Sequence, residues 1–132
     1  MSGMGADYVL VLEPEAEFRR CGGWGSFPKA HAHHSSARVQ EILRACPFLR
    51  SEGATFWTDW LEPFEVEPGE IPSLFFATHG LSTKPLEDMI RVAIAIARSL
   101  GPITLFDGGT DERVNVTADM TVEEACGGFH AP

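Results

Sequence analysis

Paired cysteines, long apolar runs and a surplus of positive charge are all missing from this chain, and each absence removes a class of function. The three cysteines, Cys21, Cys46 and Cys126, are too few and too far apart for a disulfide framework. No C-x-x-C pair supplies a zinc knuckle or a redox dithiol, so all three are expected to be reduced structural thiols. The longest apolar run, residues 92–97, is far shorter than the roughly 20 residues that cross a bilayer. The first four residues lack the charged and apolar regions of a secretory signal. Together these features lead us to expect a soluble, cytoplasmic protein with no membrane partner. With 10 Lys and Arg against 19 Asp and Glu, the net charge of -9 repels phosphate backbones, and nucleic acid is not an expected ligand. The glycine-rich stretches at residues 21–25 and 107–110 match neither G-x-x-x-x-G-K-[ST] nor a G-x-G-x-x-G that opens a helix, so no nucleotide cofactor is implied.

What is present reads as one globular domain over residues 1–132. Its apolar fraction of 44% and charged fraction of 22% are ordinary for a packed core, and the length suits one core better than two. Residues 8–13 are apolar on both parities, as in a strand covered on both faces. Pro14 ends that strand, and residues 14–35 form a long irregular loop of a length that usually carries function. From Ser36 the period becomes helical, with Val39, Ile42, Leu43 and Cys46 on one face, Ser35 or Ser36 as N-cap and Pro47 as the stop. Aromatics and threonine predict a strand over residues 54–61. Glu62-Pro63 interrupts it, residues 64–67 alternate as a continuation, and Pro68-Gly69 has the residues of a type II turn.

A short apolar strand is predicted at residues 73–78, followed by a helix that starts near Lys84-Pro85. Leu86, Met89, Ile90, Ala93, Ala97 and Leu100 form its stripe, widened by Val92 and Ile96, until Gly101-Pro102. Asp88, Arg91, Ala95 and Arg98 make the narrow strip expected to face water. Strands at residues 103–106 and 113–117 follow, then a helical turn opened by the capping box of Thr121 and Glu124, and a frayed tail over residues 127–132. The order β-α-β-β-α-β predicts an α/β (α+β) fold of ferredoxin-like type, with helices on one face of the sheet and a C-terminal hairpin strand added.

Two clusters carry candidate chemistry. His31, His33 and His34 close the long loop, and an extended backbone points His31 and His33 the same way, so with Cys21 or His79 they suit zinc. No H-E-x-x-H helix accompanies them, and solvated surface histidines are the plainer expectation. His79, at the end of a strand, becomes a general acid or base only if Asp107 or Glu87 lies beside it. The second cluster places Trp57, Asp59, Trp60, Glu62, Glu65 and Glu67 within a short stretch. An aromatic among carboxylates is the composition of a protein-binding anchor with an acidic rim.

The leading expectation is therefore a non-enzymatic binding protein without a cofactor, recognising a basic partner protein in the manner of an antitoxin or immunity protein. The alternative is a small zinc-assisted hydrolase built on the loop histidines. A third reading is a regulatory or oligomerising module that binds a small ligand at the helix-covered sheet, since the apolar second helix could serve a homo-oligomer interface as well as a core.

Overall fold

The computed structural model describes residues 5–17, 19–20, 28–29, 32–79, 84–108 and 112–129. Its strands are β1 (Gly5–Val11), β2 (Arg19–Arg20), β3 (Pro28–Lys29), β4 (His34–Ser35), β5 (Arg50–Glu52), β6 (Thr55–Trp57), β7 (Phe64–Glu65), β8 (Glu70–Ile71), β9 (Ser73–His79), β10 (Ile103–Asp107) and β11 (Arg113–Val116). The helices are α1 (Ser36–Arg44), α2 (Lys84–Leu100) and α3 (Val122–Gly127).

The main sheet runs β11-β10-β1-β9, with every neighbouring pair antiparallel. In its register Leu10 lies between Leu105 and Leu74, and Val114 follows beyond Leu105. These four share one face by the two-residue period of a strand, and all belong to a single hydrophobic cluster with Val39, Leu43, Met89, Ile90 and Ile96 of the helices. On the opposite face Val9 and Phe106 are also buried, which is why the sequence of β1 and β10 is apolar on both parities. Arg113 stands over the ring of Phe106 at 5.7 Å from its centroid.

The start of α1, the end of α2 and the start of α3 fall where their sequences predict, whereas α1 ends at Arg44, ahead of Cys46 and the expected stop at Pro47. Ser35 caps α1, its hydroxyl accepting from the Arg38 N–H, and the capping box of Thr121 and Glu124 opens α3. Gly101 stops α2 at φ +90, a conformation that costs a side chain and suits glycine, while its N–H bonds back to the Ala97 carbonyl at 2.9 Å. α2 touches α1, α3, β10 and β11. Its apolar breadth is thus accounted for within the chain. Among the described residues no helix is long and apolar enough to cross a membrane.

The α+β class holds, but the ferredoxin-like topology does not. That arrangement needs residues 54–61 to join the main sheet as one strand. Instead β6 covers only Thr55–Trp57 and pairs on one side with β5 and on the other with β7, in a separate three-stranded sheet. The cause is local. Gly53 adopts φ +62 and lets residues 50–57 close a tight hairpin, so β6 finds its partner in the preceding residues. Residues 58–61 then turn instead of continuing the strand. The small sheet docks through aromatic contacts: Phe56 stacks on Phe64 with centroids 6.0 Å apart, and Phe64 meets Phe76 of β9 edge-on at 4.8 Å.

Two further expectations need adjustment. The loop over residues 14–35 contains a 3₁₀ turn at Glu15–Glu17, the short pair β2-β3 and the strand β4, which pairs with β8. In the tail assigned to fraying, Phe129 is buried and packs edge-on against Tyr8 with ring centroids 6.0 Å apart.

Candidate partner-binding surface

The small sheet has two unlike faces. Phe56 and Phe64, opposite one another, point into the core. By the strand period Arg50, Glu52, Thr55, Trp57 and Glu65 take the other face, where Arg50 lies opposite Trp57 and Thr55 opposite both Glu52 and Glu65. Arg50, Glu52 and Glu65 are exposed there, and Trp57 is half-buried. The alternation predicted for residues 54–61 puts Phe56, Thr58 and Trp60 on one face; the turn at Thr58 breaks that pattern and separates Trp60 from the core.

That turn is held at one point. The Thr58 N–H bonds to the Leu61 carbonyl at 3.2 Å, and the Thr58 hydroxyl accepts from the N–H groups of Trp60 and Leu61 at 3.1 and 2.9 Å. Threonine hydroxyls compete with strand pairing in this way. The same hydroxyl donates to Oδ2 of Asp88 on α2 at 2.5 Å, while Nη1 of Arg91 donates to Oδ1 at 2.6 Å. Leu61 is buried, which fastens the end of the turn to the core. Trp60, between these anchors, is 54% exposed. Asp88 had looked like a residue of the water-facing strip; it is buried, because both of its oxygens have donors.

Asp59 and Glu62 flank Trp60 in the chain, Glu65, Glu67 and Glu70 follow, and all five are exposed. The charge of Asp59 is offset by Arg50 Nη2 at 2.8 Å. Both partners of that pair are well exposed, so it contributes little to stability and serves to fix the outer face. Arg50 and Glu52 were missed by sequence reasoning because they precede the segment read as a strand; the Gly53-Ala54 turn was the signal that could have found them.

The histidine cluster is not assembled among the described residues. His31 and Cys21 lie outside them. His33 is exposed, and His34 is half-buried with Nε2 donating to the Leu12 carbonyl at 3.0 Å, which removes that nitrogen from ligand duty. Among the described residues no three His, Cys, Asp or Glu side chains are grouped to hold a metal. His79 ends β9 opposite Gly5, whereas Asp107 is opposite Tyr8 on the far side of β1. Their backbones are therefore roughly 14 Å apart, from strand rise and strand spacing. Asp107 instead accepts a hydrogen bond from the Tyr8 hydroxyl. Burial above all, with the Asp107 charge and this bond, pushes the Tyr8 phenol up to about 12.

Comparison with family models, with curated proteins and with solved structures finds no match for this chain.

Proposed function

We propose that this chain is a non-enzymatic binding protein whose small sheet and Thr58 turn recognise a basic partner protein. The observation that carries the reading is Trp60, more than half exposed on a turn fixed at both ends and bordered by exposed carboxylates. A large aromatic costs free energy to leave in water, and interface anchors are enriched in tryptophan. Here its turn is preorganised by Thr58, Asp88 and buried Leu61, so little ordering entropy remains to be lost on binding. The surrounding glutamates would steer a basic surface towards it and slow its escape, in keeping with a net charge of -9. In this reading Trp60 is the anchor, Glu62, Glu65 and Glu67 form the acidic rim, and Trp57 with the Asp59–Arg50 pair builds the supporting face. A cytoplasmic role of the antitoxin or immunity-protein type is the specific form we propose.

The test is comparative capture from the native host. Tagged wild type, Trp60→Ser and the triple variant Glu62→Gln/Glu65→Gln/Glu67→Gln are used side by side, with thermal unfolding to confirm that each folds. The proposal expects a protein retained by wild type and lost with either variant. Identical captured sets for all three would refute it.

A further inference from the structure

A second surface lies away from the tryptophan turn. The C-terminal end of α1, the middle of α2 and the residues that open α3 enclose an open groove of about 600 Å³. Its apolar walls include Ile42, Phe48, Ile94 and Met120, and Ala95 of α2 lies between them with a side chain too small to fill the space. Volumes between about 300 and 1,000 Å³ are typical of small-molecule sites.

The polar groups are of one sign. Arg91 and Arg98 border the groove, and among the described residues no Asp or Glu lines it, although acids outnumber Lys and Arg by 19 to 10 in the chain. Arg91 is already held by Asp88. Arg98 is exposed and has no ion-pair or hydrogen-bond partner among the described residues. The hydroxyl residues Ser99 and Thr121 line the same groove. A groove of mixed lining, with apolar side chains along one part and a guanidinium at its border, is complementary to a molecule with an apolar body and a single anionic head.

We propose that this groove binds a free medium-chain monocarboxylate, its hydrocarbon against Ile42, Ile94 and Met120 and its carboxylate on Arg98. The strip of Arg91, Ala95 and Arg98 along α2 then has a role that solvation does not supply. Ala95 leaves room for the chain, and the spacing of Arg91 and Arg98, seven residues or two helical turns apart, puts both guanidinium groups on that border. The site is independent of the tryptophan surface and shares with it only the Asp88–Arg91 contact.

The probe is decanoate, with decanol as its neutral counterpart, titrated calorimetrically into wild type, Arg98→Gln and Ala95→Trp. Wild type is expected to bind decanoate saturably at one site and decanol at least tenfold more weakly. Arg98→Gln is expected to lose about tenfold for decanoate and nothing for decanol, in line with a charge-assisted hydrogen bond at a partly exposed position. Ala95→Trp fills the groove and is expected to abolish both. Arg98 is on the surface, so its variant keeps the test valid if Ala95→Trp unfolds, which thermal melting would reveal. No saturable binding of decanoate to wild type, or equal affinity for decanoate and decanol, would overturn the proposal, as would unchanged decanoate affinity in Arg98→Gln.

Discussion

Replacing Thr58 by valine keeps the shape of the side chain and removes its hydroxyl, which isolates the contact that holds the Trp60 turn. Three hydrogen bonds disappear: one donated to Asp88 and two accepted from the Trp60 and Leu61 N–H groups. The serious loss is at Asp88, because its side chain is only 9% exposed and Oδ2 would lose its donor inside the protein, leaving Arg91 alone on Oδ1. A net hydrogen bond contributes about 1 kcal/mol and an orphaned buried acceptor costs about 1–3 kcal/mol, more when charged. Trp60 is exposed, so its N–H recovers much of its loss by hydration, whereas Leu61 is buried and its N–H adds to the cost. We therefore expect about 2–3 kcal/mol of destabilisation, or a fall in Tm of roughly 6–12 °C for a chain of this size. Urea unfolding measures the free energy, and amide hydrogen exchange at Trp60 and Leu61 locates it. Asp88→Asn, alone and combined with Thr58→Val, completes a double-mutant cycle with an expected coupling of about 1 kcal/mol or more. A Thr58→Val variant within about 0.5 kcal/mol of wild type, the ordinary range of an inconsequential surface change, with unchanged exchange at residues 60 and 61, would refute the claim that this hydroxyl fixes the turn.

The aromatic bridge and the phenol give two more expected outcomes. Phe64→Ala removes the ring contact that joins the small sheet to β9 and the stack on Phe56 within the sheet, and is expected to cost about 3–5 kcal/mol by chemical denaturation; a loss below about 1 kcal/mol would mean that the small sheet is held elsewhere. Tyr8 is the only tyrosine in the chain, so its ultraviolet phenolate absorbance reports one group, with an expected midpoint of about 12 in the folded protein against 10.0 for an unperturbed phenol. Because the folded value is the higher one, this group's contribution to stability is complete below pH 10 and is lost as pH rises towards about 12. Tyr8→Phe removes that pH dependence, and a native midpoint near 10 would contradict the burial of the phenol beside Asp107.

How much of this was legible in the sequence depended on whether local signals or tertiary ones decide an element. α1, α2 and α3 carry their own caps and stops, and the boundaries read from Ser35, Gly101 and the Thr121–Glu124 pair agree with the structure. β1, β9 and β10 were visible because apolar residues on both parities have few other uses. The segment over residues 50–61 was misread for a physical reason. Its aromatics have strand propensity, but Gly53 supplied a nearer partner for β6 and the Thr58 hydroxyl took the N–H groups that a longer strand would have used. Asp88 was misplaced on the outer strip because its donors come from two different elements, and no helical period can show that. Residues 14–35 yielded only short pairings, and His31 and Cys21 lie outside the described residues. The aromatic and acidic cluster, by contrast, was chosen on composition, and the structure sorts its members into a displayed Trp60, a half-buried Trp57 and an Asp59 tied to Arg50.

The central claim is that an exposed tryptophan within a carboxylate rim captures a basic protein, and association kinetics with the captured partner test it most directly. The rate constant is measured against salt concentration for wild type, for Trp60→Ser and for Glu62→Gln/Glu65→Gln/Glu67→Gln. Steering by the rim predicts that the triple variant associates at least several-fold more slowly at low salt and loses most of its salt dependence, while Trp60→Ser keeps the association rate and dissociates at least tenfold faster. Identical association rates and salt slopes for wild type and the triple variant, together with an unchanged dissociation rate for Trp60→Ser, would contradict the account.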